Sequence, residues 1–156
     1  MNDVRDAFSD LVLGGRCAGC GRPGRVLCST CSAALPQSGH GVRPDPSPAG
    51  LPPVFSAGDY ADPLRRLILT HKEHQAFALA DPLGLVLASV LAGAVDQVAP
   101  GIRAPLVLVP VPSAPSATRT RGHDPVLRMT RVAARALTAH GRHAQVARLL
   151  RIAQPV

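Results

Sequence analysis

The segment CAGCGRPGRVLCSTC occupies residues 17–31 and contains every cysteine of the 156-residue chain. The cysteines form two Cys-x2-Cys pairs separated by seven residues. A two-residue spacer lets both thiolates of a pair face one ion, and two such pairs supply the four soft ligands of tetrahedral zinc. The pattern therefore predicts a structural zinc site formed by Cys17, Cys20, Cys28 and Cys31.

Two disulfides or a redox pair are the alternatives to zinc. The first residues, MNDVRD, are acidic rather than basic and lead into no apolar signal segment, so we expect a cytoplasmic protein. A cytoplasmic location disfavours disulfides, and two closely spaced pairs disfavour a redox role. Because four thiolates leave no open coordination position, we expect the metal to stabilise folding rather than to catalyse.

The segments on either side of the cysteines define the predicted domains. Apolar residues recur at helical spacing before the cysteines, which predicts an amphipathic helix over residues 3–13, packed on the zinc module or on the following domain. Residues 1–36 are thus the predicted helix and zinc ribbon. Six prolines and three glycines fall between Pro36 and Pro53, so residues 37–53 are predicted to be a linker.

Residues 54–156 have the pattern of an α/β domain. Val54 opens a short candidate strand, and the pairs Asp62-Pro63 and Asp81-Pro82 each predict an N-cap followed by proline in the first helical turn. The apolar run PLVLVPVP at residues 105–112 predicts a buried parallel strand, and Asp124 is predicted to cap the next helix. Residues 144–152 fit a second core strand or a short helix.

Composition excludes some classes of protein. The chain is 46% apolar and 17% charged and has only four aromatic residues, which leaves little for stacking on nucleic-acid bases. Its longest uncharged helical run, Pro82–Val95, has 14 residues and falls short of the roughly 20 that span a bilayer, so no membrane insertion is expected. Histidines are expected in exposed places: His71 and His74 at a solvated helix end, and His123 in an exposed turn.

The positive charge is concentrated in the last third of the chain. Residues 101–156 carry nine basic groups and one acidic group, whereas the whole chain has a net charge of +7. The loop predicted after the apolar strand is rich in hydroxyl and guanidinium groups suited to phosphate or pyrophosphate, although such loops are also commonly just solvated. The candidate anion ligands here are Ser113, Ser116, Arg119, Arg121 and Gly122.

The order of these motifs resembles the ComF family of phosphoribosyltransferase-like competence proteins. The resemblance rests on the four cysteines, the stretch from Tyr60 to Ile68 followed by Lys72, the Val-Pro-Val-Pro strand end at residues 109–112, and Arg121-Gly122-x-Asp124. It implies a zinc ribbon on a type I phosphoribosyltransferase fold, a glycosyltransferase that uses 5-phosphoribosyl pyrophosphate with magnesium, and a link to DNA uptake and nucleotide metabolism.

The resemblance also implies roles for individual residues. The turn at residues 110–116 corresponds to the pyrophosphate loop, and Arg119 and Arg121 lie in the segment that closes over the pyrophosphate. Lys72 corresponds to the family's lysine after the first helix and is a further candidate ligand of the substrate or its pyrophosphate. The family continues its Arg-Gly turn with an aromatic residue, Asn and Gln, where this chain has His123, Asp124 and Pro125.

The acidic part of the family site has no counterpart in this sequence. Family members continue into a strand that ends in two acidic residues and a Thr/Gly-rich loop, which bind the ribose and its phosphate. No two acidic residues are adjacent in this chain. We therefore expect an incomplete phosphoribosyltransferase-like sheet, without carboxylate partners for magnesium, and a catalytically incomplete protein.

A non-enzymatic role is the alternative. The arginines near the cysteines, Arg16, Arg22 and Arg25, or the basic last third, would contact the phosphates of single-stranded DNA. The absence of aromatic residues between Arg16 and Pro36 counts against base stacking by the ribbon. The ribbon and the first helix are otherwise suited to docking a protein of the DNA-uptake machinery, and the sequence does not separate these two roles.

Overall fold

The computed structural model describes residues 15–153, so the helix predicted over residues 3–13 lies outside the described part. The described part has a mixed helix and strand architecture with two small sheets. The helices are α1 (Ser29–Ala33), α2 (Leu64–Glu73), α3 (Ala80–Val98), α4 (Pro115–Arg121) and α5 (Pro125–Ala139). The strands are β1 (His40–Val42), β2 (Val54–Ser56), β3 (Leu106–Leu108) and β4 (Ala144–Val146).

The first sheet lies partly in the segment that the sequence assigned to a linker. Strand β1 pairs antiparallel with β2 in the register His40 to Ser56 and Val42 to Val54. Gly39, just before β1, packs so closely on α3 that an added Cβ would lie 2.7 Å from Val90 Cγ1. The prolines are confined to the connection between the strands and its flanks, which explains why a proline-rich composition coexists with a short ladder.

The helix starts differ from two of the three sequence predictions. Asp124 caps α5 as predicted, with its side chain accepting from the Leu127 N–H. Helix α2 has Pro63 at its N-cap and no side-chain cap, while Asp62 instead pairs with Arg66 at 2.7 Å. Helix α3 begins at Ala80, before Asp81, because a 3-10 turn at Phe77–Leu79 leads directly into it.

The second sheet contains the predicted parallel strand. Strand β3 pairs in parallel with β4, with Leu106 opposite Ala144 and Leu108 opposite Val146. The strand is shorter than the apolar run, because Pro110 and Pro112 carry no N–H to extend the ladder. It is also covered on one face only: Leu108 is buried, whereas Val107 is 48% exposed. Residues 144–146 settle the open choice between strand and helix at the end of the chain in favour of strand.

Helix α3 connects two apolar clusters. The first cluster, beside the cysteines, consists of Leu35, Leu67, Leu79, Leu83 and Val86. The second, beneath the β3–β4 sheet, consists of Ala88, Leu108, Ala133, Ala134 and Leu137. The two clusters take residues from successive turns of the same helix, so α3 positions the cysteine module relative to the β3–β4 unit.

One helical stretch in residues 15–153 is long and apolar enough, by length and composition, to cross a membrane. It runs over 22 residues from Phe77 to Val98, and its most apolar window has a mean hydropathy of 1.9 with 39% of the residues buried. The sequence estimate counted only the uncharged residues between Asp81 and Asp96 and was therefore too short. A core helix of a soluble protein has the same composition, and the inner face of this one packs against α5.

Candidate functional site

The four cysteines come together at one point, as the spacing predicts. Their sulfur atoms all lie within 4.8 Å of one another, and the Sγ atoms of Cys20 and Cys28 are 3.8 Å apart. A tetrahedral site with Zn–S bonds of about 2.3 Å places its sulfurs about 3.8 Å apart. The cysteines are thus positioned to bind a metal ion, and their geometry is consistent with zinc.

The backbone around the cysteines forms two tight turns. The Gly21 N–H donates to the Cys17 carbonyl at 2.7 Å, with Gly21 at a φ of 75°. Cys28 caps the short helix α1 and accepts from the Cys31 N–H through its sulfur at 3.4 Å. A Cβ at Gly19 would lie 2.8 Å from the Cys31 sulfur, so only glycine lets the first turn approach the second pair.

Backbone N–H groups prepare one thiol for deprotonation. Burial by itself would raise the pKa of Cys17, but N–H groups of Cys28, Cys20 and Gly19 donate to its sulfur and lower the pKa to about 6. The thiol of Cys31 hydrogen-bonds to Cys28 and is buried, and its pKa rises to about 12. The same N–H groups that favour the thiolate of Cys17 would also stabilise that thiolate when it is bound to a metal.

The cysteine cluster stands alone as a metal site in the part of the chain that the structure describes. Over residues 15–153, no other group of three or more His, Cys, Asp or Glu side chains is arranged to hold a metal. A magnesium site is not supported by these residues.

Two of the predicted anion ligands meet at a carboxylate. The Arg121 guanidinium donates from Nε and Nη2 to both oxygens of Glu73, at 2.9 and 3.0 Å. Lys72 Nζ lies 3.8 Å from Oε1 of the same carboxylate. The end of α2 and the end of α4 are thereby joined, and the charge of Arg121 is neutralised by a neighbour that the sequence analysis did not include.

The other predicted ligands divide between a turn and a helix. Ser113 Oγ donates to Asp124 Oδ1 at 3.2 Å, which joins the loop after β3 to the start of α5. Gly122 has a φ of 71° and ends α4 in the left-handed conformation. Ser116 and Arg119 lie exposed on α4 itself, so the pyrophosphate loop predicted over residues 110–116 is partly helical.

Two histidines expected at the surface are buried. His71 is 1% and His123 is 5% exposed, and their rings meet edge to face at 5.7 Å. Each ring nitrogen of both residues lies within 3.4 Å of a backbone carbonyl, and His123 Nε2 faces the His71 carbonyl at 3.2 Å. The two histidines form a buried contact between α2 and the turn before α5. Of the three histidines expected at the surface, only His74 is exposed.

Sequence reasoning missed a row of arginines on α5. Arg128, Arg131 and Arg135 line a cleft of about 470 Å³ together with Phe77, Asp81 and the Gly122 turn. Their spacing of three and four residues places them on one face of a helix, and that spacing was the available signal. These arginines contribute to the positive charge of the last third of the chain, but the charge count alone does not assign them to a surface.

Comparison of the chain with protein-family models, with curated proteins and with solved structures finds no match.

Proposed function

We propose that the chain is a ComF-like protein in which a zinc-stabilised module precedes part of a phosphoribosyltransferase-like domain, and that its role is to recognise 5-phosphoribosyl pyrophosphate. The cysteine cluster and the parallel β3–β4 pair, with α4 and α5 between the two strands, support this reading. A strand, a crossover helix and a parallel strand form the unit from which open α/β nucleotide-binding sheets are built.

The observation that carries the proposal is the meeting of Lys72 and Arg121 at Glu73. These are the lysine and the arginine that the resemblance assigns to the phosphoribosyl site, and they come from helices far apart in the chain. The Arg121 side chain is 19% exposed and is paired with Glu73, so a ligand would reach its charge by displacing the Glu73 carboxylate. A pyrophosphate group would exchange with the Glu73 carboxylate for the same two N–H donors, because both present paired oxygens to a guanidinium.

The proposal concerns binding rather than turnover. Glu73 is the acidic residue that pairs with Arg121. The sequence has no two consecutive acidic residues to hold magnesium and ribose. The phosphoribosyl ligand would thus be held through its phosphates by Arg121, Lys72 and the Ser113 turn. At the level of the family, we place this recognition in DNA uptake or nucleotide-related metabolism.

Calorimetric titration of the zinc-loaded chain with 5-phosphoribosyl pyrophosphate tests the proposal. Glu73→Gln removes the competing charge and should raise affinity by about two- to fivefold, the range of a partly exposed ion pair. Arg121→Gln should lower affinity by about tenfold. Asp62→Asn is the matched control, since Asp62 is also acidic and pairs with an arginine of α2 but lies at the other end of that helix.

The outcomes separate clearly. The proposal is supported if Glu73→Gln raises the affinity for 5-phosphoribosyl pyrophosphate, Arg121→Gln lowers it and Asp62→Asn leaves it unchanged. The proposal fails if the native chain shows no heat of binding, or if Asp62→Asn raises the affinity as much as Glu73→Gln does, which would indicate an effect of bulk charge.

A further inference from the structure

The cleft lined by the arginines of α5 does not have Glu73 or Arg121 in its lining. It lies between the corner at Phe77–Asp81 and the face of α5 that carries three arginines, and it encloses about 470 Å³. Pockets that hold small molecules and cofactors have volumes of about 300–1,000 Å³. The cleft is therefore large enough for a ligand the size of a nucleotide.

Two of the arginines in this cleft form no ion pair within residues 15–153. Arg131 and Arg135 are exposed, and the side chain of neither forms a hydrogen bond or an ion pair with any described residue. They are four residues apart on α5, so they lie about 6 Å apart along the helix axis and reach the same part of the cleft. Two unpaired guanidinium groups facing one concavity favour a ligand with a phosphate group.

The third arginine lies over an aromatic ring, and the two side chains are called here the Arg128–Phe77 stack. The Arg128 guanidinium lies over the Phe77 ring at 4.4 Å from its centroid, and the Phe77 ring meets His123 edge-on at 4.9 Å. Because Arg128 is exposed, the outer face of its guanidinium is open to solvent. Guanidinium planes held in this way stack on nucleic-acid bases.

Two carboxylates also line the cleft. Asp124 Oδ1 accepts from the Leu127 N–H and from Ser113, so this carboxylate is held at the start of α5. Asp81 is exposed at the start of α3 and forms no ion pair within the described residues. A carboxylate accepts from the N–H groups of a base or from ribose hydroxyls and repels a bare phosphate, so Asp81 favours a ligand that also carries hydrogen-bond donors.

We propose that this cleft binds a free nucleotide, with its phosphate on Arg131 and Arg135 and its base on the Arg128–Phe77 stack. Asp81 accepts from the sugar or the base. The inference goes beyond the proposed phosphoribosyl site, because the side chains that hold the ligand are different and the ligand carries a base.

Adenosine monophosphate and ribose 5-phosphate form a matched pair of probes, since they differ mainly by the base. In calorimetric titrations of the full zinc-loaded chain, AMP should bind at least about tenfold more tightly than ribose 5-phosphate. The double variant Arg131→Gln/Arg135→Gln should lose at least about tenfold in AMP affinity. The control Arg103→Gln/Arg148→Gln changes the net charge equally at exposed positions outside the cleft and should change AMP affinity by less than about twofold.

Phe77→Leu and Arg128→Gln test the stack separately. Phe77→Leu should weaken the binding of AMP and leave that of ribose 5-phosphate unchanged. Arg128→Gln should weaken the binding of AMP more than that of ribose 5-phosphate, and it serves if Phe77→Leu loses its helical circular dichroism. Equal affinity for the two probes, or an equal loss in the charge-matched control, overturns the proposal in favour of a nonspecific cationic surface. An oligonucleotide that binds more than about tenfold tighter than AMP overturns it in favour of a nucleic-acid strand. Glu73→Gln should not alter AMP affinity, so this site and the phosphoribosyl site can fail independently.

Discussion

The two ends of helix α3 are stabilised in different ways. At its start, the cluster around Leu67 and Leu79 contacts Leu35 and other apolar residues of the cysteine module, and that module has few buried side chains of its own apart from its sulfurs. At its end, the cluster around Ala133 and Leu137 is closed by α5 and the β3–β4 sheet without any contribution from the module. The first region should therefore depend on metal, and the second on packing.

Metal removal gives the largest expected difference between the two regions. Chelation of the zinc-loaded chain should abolish amide protection over residues 15–35 and weaken it around Leu67 and Leu79, because the four cysteine side chains lose the ion that holds them together. Protection over residues 125–146 should persist. Hydrogen exchange read by mass spectrometry, with the zinc content measured in parallel, checks this.

Cys17→Ser should reproduce the effect of the chelator, whereas Ser29→Ala, an exposed change in the same module, should not. If protection over residues 15–35 survives complete loss of metal, the module is held by packing and the comparison between the two regions is wrong.

Two glycines of α3 test the packed region. An added Cβ at Gly84 would lie 2.6 Å from Val132 Cγ1 and 2.9 Å from the Met129 carbonyl oxygen, so Gly84→Ala must push α3 and α5 apart. We expect a loss of about 1–3 kcal/mol in the free energy of unfolding. Gly93 meets nothing within 4 Å, and Gly93→Ala should gain about 0.5–1 kcal/mol from helix propensity. Urea unfolding monitored by circular dichroism measures both.

Gly84→Ala and Gly93→Ala make the same substitution in one helix, and we expect them to change the free energy of unfolding in opposite directions. Adding Val132→Ala to Gly84→Ala should recover little of the loss, because the atom nearest to the added Cβ is Val132 Cβ, which alanine retains. A destabilisation of both glycine variants would mean that α3 tolerates no added volume anywhere, and the close contact at Gly84 would not be specific.

The sequence predicted what depends on local chemistry. The cysteine spacing, the parallel strand at residue 106 and the cap at Asp124 follow from ligand geometry, β-branched residues and capping preference, and these are properties of a few consecutive residues. The family, the phosphoribosyl fold and the competence role remain predictions.

What the sequence missed depends on distant partners. The burial of His71 and His123 arises because α2 and the turn before α5 meet, and the pairing of Arg121 with Glu73 has the same origin. The strand at His40–Val42 forms only because Val54–Ser56 returns beside it. In each case the residues that decide the structure are far apart in the chain, and local pattern carries no information about such contacts.

The smallest expected effect separates two aspartates that look alike in the sequence, since both precede a proline. Asp124 accepts from the Leu127 N–H at 3.1 Å and is a true N-cap, so Asp124→Ala should cost about 1 kcal/mol, while Asp124→Asn should retain most of the stability. Asp81 lies inside the first turn of α3, where its carboxylate gains only the helix dipole, so Asp81→Ala should cost about 0.3–1 kcal/mol. Thermal unfolding at low and high salt distinguishes the two, because salt screens the dipole term of Asp81 but leaves the hydrogen bond of Asp124 in place. Equal losses with equal salt dependence would mean that the 3-10 turn at Phe77–Leu79 does not displace the start of α3, and that both Asp-Pro pairs begin their helices in the same way.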